Sequence, residues 1–121
     1  MSNFENIANK SKKLILKTTE NIYVVNIQNI IRCQSENNYT VFFLNDNKKI
    51  VISKTLKDYE DLLTNYNFIR IHRSHLINLN YIERFEKRDS GFVYMQDNSK
   101  IPVSHRKKDI LMKSFEKLLN T

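Results

Sequence analysis

The sequence predicts a mostly β domain built of antiparallel strands with two short helices, and three observations predict it. Short runs of β-type composition follow one another closely, clusters of Asn, Asp and Ser separate them, and helical periodicity surfaces only twice. With one glycine and one proline in 121 residues, turns fall to Asn, Asp and Ser, whose short side chains bond their own backbone and tolerate left-handed φ. The joints are "TTEN" (18–21), "SENN" (35–38), "NDN" (45–47), "NYN" (65–67), "RDSG" (88–91) and "QDNS" (96–99).

Between the joints lie the expected strands: "KLILK" (13–17), "IYVV" (22–25), "IIRCQ" (30–34), "YTVFFL" (39–44), "KIVIS" (49–53), "FIRI" (68–71), "YIERFE" (81–86), "GFVYM" (91–95) and "KIPV" (100–103). Pieces this short with such tight connections suit antiparallel pairing, not βαβ crossovers. The first helix is expected in "TLKDYEDLL" (55–63), where Leu56, Tyr59, Leu62 and Leu63 recur with helical spacing and Thr55 and Asp58 stand at capping-box distance. The second is expected in "HRKKDILMKSFEKLLN" (105–120), with Leu111, Phe115, Leu118 and Leu119 on one face and Ser104 as N-cap.

A chain of this length builds one core, and 40% hydrophobic residues with seven Phe and six Tyr can fill it. No repeat or low-complexity tract interrupts it, so the organisation reads as a flexible N-terminal segment (1–11) and one folded domain (12–121). The lone Cys33 excludes an internal disulfide, and in an apolar strand it reads as a small buried hydrophobe. The polar start lacks a secretory apolar region, and no run approaches the roughly 20 apolar residues that cross a bilayer, so a cytoplasmic protein is expected.

Lys and Arg outnumber Asp and Glu by 20 to 13, giving +7, a balance suited to an anionic partner. Two windows concentrate it. From Thr64 to Ile82 there is no acid, yet Arg70, His72, Arg73 and His75 are present; from Asn98 to Lys108 there is again none, with Lys100, His105, Arg106, Lys107 and Lys108. Cations in a helix's first turn oppose its dipole at about 0.3–1 kcal/mol each, a cost that makes sense if the helix start faces phosphate. Two readings stand evenly there: that one, or a helix that begins nearer Asp109 with the cations simply solvated. Around Arg73, the strand 68–72 should end at His72, leaving Arg73 and Ser74 at its exit while Leu76, Ile77 and Leu79 return to the core. An arginine mounted there has the fork that reads guanine O6 and N7; a surface salt bridge is the competing role.

Catalytic and metal sites find little support. His72 and His75 at i, i+3 would point to opposite faces of one strand and lack further zinc ligands, and Ser74 lies in no nucleophile elbow. A single glycine cannot build a phosphate-cradling loop, so neither an enzyme nor a cofactor is expected, nor a small-molecule substrate. Neither helix joins a basic face to a broad apolar one, which argues against a membrane surface.

"FIRIHRSHLINLNYIERFE" followed by "KIPVSHRKKDIL", with "IIRCQSENNYTVFFLNDNKKIVISKTLKDYEDLL" upstream, resembles the LytTR DNA-binding domain of bacterial response regulators over roughly residues 12–118. The resemblance implies an elongated arrangement of small antiparallel sheets with two short helices, and double-stranded DNA as partner at promoter direct repeats. Those repeats leave room for a homodimer on DNA. It also implies binding through loops set into successive major grooves. Carried over by position, these hold Asn37, Asn38 and Tyr39, then His72 and Arg73, then Ser104, His105 and Arg106. Arg73, Asn38, Tyr39 and His105 are thereby expected at bases, and Arg106, Lys107, Lys108, Ser104, His72 and Asn37 at phosphates, with His72 also a structural hydrogen bonder. For Asn38 and Tyr39, simple turn chemistry is an equal reading. His105 departs from the arginine common at its position. The family's upstream receiver domain has no room in this length, so a stand-alone or excised LytTR domain is expected. The alternative function is a module that pairs with another regulator or binds RNA, the latter weakened by having Tyr39 as its only loop aromatic.

Overall fold

The computed structural model describes residues 12–89 and 91–119. The expected flexible segment 1–11 lies outside the described residues, as do the last residue of the expected second helix and the side chain of Leu119. Among the described residues, ten strands form three antiparallel sheets. Strands β1 (Lys13–Lys17) and β2 (Ile22–Asn26) make a two-stranded ribbon. The central sheet has the order β5-β4-β3-β7-β6, from β3 (Ile30–Glu36), β4 (Tyr39–Leu44), β5 (Lys49–Ile52), β6 (Phe68–His72) and β7 (His75–Asn78). Strands β8 (Ile82–Glu86), β9 (Phe92–Met95) and β10 (Lys100–Pro102) make the third. Helix α1 spans Lys57–Leu63 and α2 spans Lys108–Leu119.

The turns are made as the composition demands. Asn37, Asn47, Asn67, Asp89 and Asn98 all take positive φ, one in each of the last five joints. In the first joint, Thr18 Oγ1 instead accepts the Asn21 backbone N–H at 3.0 Å.

Both faces of the central sheet are buried, and strand alternation sorts the side chains between them. Cys33, Phe42, Ile50, Ile52, Phe68 and Leu76 pack beneath the ribbon (Leu14, Leu16, Val25) and α1 (Tyr59, Leu63). Ile31, Ile69, Ile71 and Ile77 face the other way, onto Val93, Met95 and Ile101 of the third sheet, Val103 just beyond it and Leu111 of α2. The middle layer is shared by both cores.

Four expectations change. Strand β7 had no counterpart among the expected strands, because its ends are His75 and Asn78. Asn78 is nonetheless 1% exposed: its amide donates to Ile30 O at 2.9 Å and its Oδ1 accepts the Asn80 N–H at 3.0 Å. Leu79 is half-buried against the second core instead of inside it. Leu62 faces solvent, since about 100° per residue carries it well off the side shared by Leu56, Tyr59 and Leu63. Finally, Ser104 makes no side-chain cap; a 3-10 turn, His105–Lys107, comes first, and α2 begins at Lys108 with Asp109 in its first turn. His105, Arg106 and Lys107 therefore lie ahead of the α-helix and Lys108 opens it, which is the helix start of the second reading. At α1, Asp58 Oδ2 accepts the Thr55 N–H at 3.1 Å, so half of the expected capping box forms.

Candidate nucleic-acid interface

Register places the three expected loops at one end of the central sheet. Glu36 pairs with Tyr39, so Asn37 and Asn38 form a two-residue turn; His72 pairs with His75, so Arg73 and Ser74 form another. The hairpins are neighbours through β3 and β7, and the Ser35 N–H donates to Ser74 O at 2.9 Å. The third loop joins at the outer side of β6, where the Ser104 N–H donates to Ile71 O at 2.8 Å. From strand spacing, neighbouring hairpin tips stand roughly 10 Å apart, about three base pairs of duplex. What the sequence spreads over 70 residues, the fold sets in a row.

Asn38, Arg73, His105 and Arg106 are exposed and Tyr39 is 46% exposed, while His72, Ser104, Lys107 and Lys108 are half-buried. Asn37, exposed, takes φ 54; of Asn38 and Tyr39, for which a turn role was weighed, Asn38 stands in the turn and Tyr39 opens β4. His72 is a hydrogen bonder, its Nδ1 accepting the Ser74 N–H at 3.0 Å. A groove of about 470 Å³ connects the second and third loops, lined by Lys57, Arg70, Arg73, Arg106 and Lys107 with Glu60 as the sole carboxylate among its lining residues. Such a cleft holds a positive potential.

Lys57 is a groove cation that the sequence reading missed, and Arg70 lines the groove in a role that the reading did not assign. Lys57 stands beside Asp58, Glu60 and Asp61, so its surroundings look acidic along the chain, and only the packing of α1 beside β6 turns it toward the basic loops. Arg70 was counted among the charges of its window without a role. Its Nη1 donates to Glu60 Oε1 at 2.7 Å.

Behind the loops lies a polar strip on the sheet face that meets the third sheet. Arg32 is buried, donates from Nη1 to Gln34 Oε1 at 2.8 Å, stacks on the Phe43 ring at 3.7 Å and approaches Asp97 Oδ2 at 3.5 Å. Burial pulls its guanidinium below the ordinary value, against the opposing influence of Asp97. Gln34 pairs with His75, whose Nδ1 is buried and has no hydrogen-bond partner among the described residues. Burial above all, then His72 and Arg32, lower the His75 pKa to about 4. The expectation that His72 and His75 diverge fails, because a turn separates them: they are cross-strand partners with ring centroids 5.3 Å apart. Cys33 is fully buried and its thiol is pushed up by that burial.

Residues 20–116 match the family described as the LytTr DNA-binding domain. The chain belongs to that family. This LytTR domain is 33% identical over 110 residues to the sensory transduction protein LytT of Bacillus subtilis, covering 89% of this chain and 44% of LytT. It is 35% identical over 78 residues to the sensory transduction protein LytR of Staphylococcus saprophyticus, covering 63% of this chain and 30% of LytR. The chain thus spans less than half the length of either relative. In fold it resembles the LytTr DNA-binding domain of a response regulator from Bacillus cereus, with a TM-score of 0.74 at 24% identity over 85% of this chain and 95% of that one. A LytTR domain is a DNA-binding module of transcription regulation. Among the described residues, no helix is long and apolar enough to cross a membrane.

Proposed function

We propose that the LytTR domain binds double-stranded DNA in a sequence-specific way by setting its three aligned loops into major grooves, at promoter direct repeats that two copies can occupy side by side, in the cytoplasm. The observation that carries this reading is the row of loops at one end of one sheet, bordered by a groove with five Lys or Arg and one carboxylate.

Affinity then comes mainly from phosphate contacts by Arg106, Lys107 and Lys108, with Ser104, Asn37 and His72 adding hydrogen bonds. His72 can offer only Nε2, since Nδ1 already serves Ser74. Specificity comes from Arg73, which projects from a two-residue turn between two buried strands, with Asn38, Tyr39 and His105 as further base contacts. A hairpin tip suits this task because the sheet behind it fixes where the guanidinium fork begins.

Selection of bound duplexes from a random pool tests the reading: a recurring motif is expected. Arg73→Ala should then reduce discrimination between that motif and a scrambled duplex by about 1–3 kcal/mol. An unchanged ratio removes Arg73 from base reading. Exposed apolar side chains on the ribbon, Ile22 at 67% and Val24 at 62%, favour a second reading, a module that pairs with another regulator. A folded protein that binds no duplex at low salt selects that second reading.

A further inference from the structure

The turn that presents Arg73 is held more tightly than a surface hairpin requires. Four consecutive carbonyls, those of Ile71, His72, Arg73 and Ser74, each accept a hydrogen bond, the outer two from other segments of the fold and the inner two from a side chain of the same hairpin. Ile71 O is taken by the Ser104 N–H at 2.8 Å and Ser74 O by the Ser35 N–H at 2.9 Å, which ties the turn to the loops on either side. The two carbonyls between them are both taken by one side chain. Arg70 Nε donates to His72 O at 3.1 Å, and Arg70 Nη2 donates to Arg73 O. Its third nitrogen, Nη1, is anchored on Glu60 of α1 at 2.7 Å.

These two carbonyls lie at the sheet's end, where water could satisfy them, so a guanidinium is not needed there for solvation alone. Its effect is stiffness. A planar fork that grips two successive carbonyls, and is itself held by a helix, removes the backbone freedom from which Arg73 would otherwise start. The strand is irregular at this point, with the register shifting between Arg70 and His72, so the regular ladder does not fix the turn. Glu60 also neutralises Arg70, which leaves Lys57, Arg73, Arg106 and Lys107 as the groove's uncompensated cations.

We infer that Arg70, anchored by Glu60, is a positioning residue for base recognition: it fixes the Arg73 turn and sets specificity without itself holding DNA. This rests on the proposed DNA reading by Arg73, and the tests separate the two.

Arg70→Lys keeps the charge and removes the fork. In the free protein it should speed amide hydrogen exchange at Ser74 and Ser35 by about tenfold or more, while Leu76 and Ile77 in β7 keep their protection. Unchanged exchange at Ser74 and Ser35 overturns the clamp whatever the DNA result. On the selected duplex, Arg70→Lys should lower the ratio of cognate to scrambled affinity by about tenfold, with scrambled affinity and salt slope unaltered. Placed in an Arg73→Ala background, the same change should cost no further discrimination. Equal losses in both backgrounds would make Arg70 an independent contributor, and a salt slope lower by about one would make it a phosphate contact; either result overturns the inference. Glu60→Ala, which leaves the turn's own sequence intact, should reproduce the loss, and Glu60→Gln, which keeps the acceptor oxygen, should restore it. A wild type with no preference among duplexes overturns the base-reading role of Arg73 and the clamp's purpose with it, even where the exchange result stands.

Discussion

His75 should make the stability of this domain depend on acid, and its surroundings fix the sign. In the folded chain its pKa falls from 6.5 to about 4, because burial, then His72 and Arg32, oppose a second positive charge on that face. The unfolded chain therefore binds the proton first. Stability from this source is complete above the unfolded value near pH 6.5 and is lost as pH falls from there toward 4. Between pH 7 and pH 5 the difference in proton binding amounts to about 2 kcal/mol for a fully enclosed ring. Partial solvent access at the sheet's end reduces it to about 1 kcal/mol. With a urea slope of about 2 kcal/mol per molar for a domain of this size, the midpoint should shift down by about 0.5 M. Urea unfolding at both pH values, for the wild type and His75→Phe, isolates the effect. Phe fills the space beside His72 without titrating, and every other titratable group is common to both proteins. If the two midpoints fall in parallel on acidification, the account of His75 is wrong.

Two further perturbations address the interface and the core. Lys107→Ala should weaken binding to all duplexes alike and flatten the dependence of log K on log salt by about one; an unaltered slope, measured by titration at several salt concentrations, would show that the 3-10 turn does not meet phosphate. Asn78→Leu should destabilise the domain by about 1–3 kcal/mol in urea unfolding, since it strips the buried Ile30 carbonyl and the Asn80 N–H of their partner. A loss under 0.5 kcal/mol would mean that water replaces the amide.

How far the sequence was legible depended on the range of the interaction that decides each feature. Turns are local, and Asn37, Asn47, Asn67, Asp89 and Asn98 lie in the joints read from composition alone. Strands with apolar alternation were equally open, and "YTVFFL" matches β4 to the residue. β7 was hidden because His75 and Asn78 derive their burial from Gln34 and Ile30, about 40 residues or more away in the chain, and no pattern within "HLIN" records those partners. The same limit applies to the interface. Arg73 at a strand exit was readable, since the strand's end could be counted. Neither Lys57 nor the link from Glu60 to Arg70 could be, because α1 stands next to β6 only after the sheet has formed. The start of α2 was ambiguous for another reason: His105–Lys107 satisfies helical spacing equally well as a 3-10 turn, and only backbone geometry separates them.

The buried thiol of Cys33 turns the central sheet into its own reporter. Its sulfur is fully enclosed in β3, whose backbone is paired on one side with Phe42 and on the other with Leu76. An alkylating reagent reaches it only during an opening that separates the middle layer from its cover, so the rate of modification counts such openings in the unmodified chain. Because β3 leads into one loop of the row and β7 leads out of another, a duplex seated across both would hold that layer shut. Occupancy at the tips can thus be timed from an atom in the interior, without a label at the surface where it would disturb the contact.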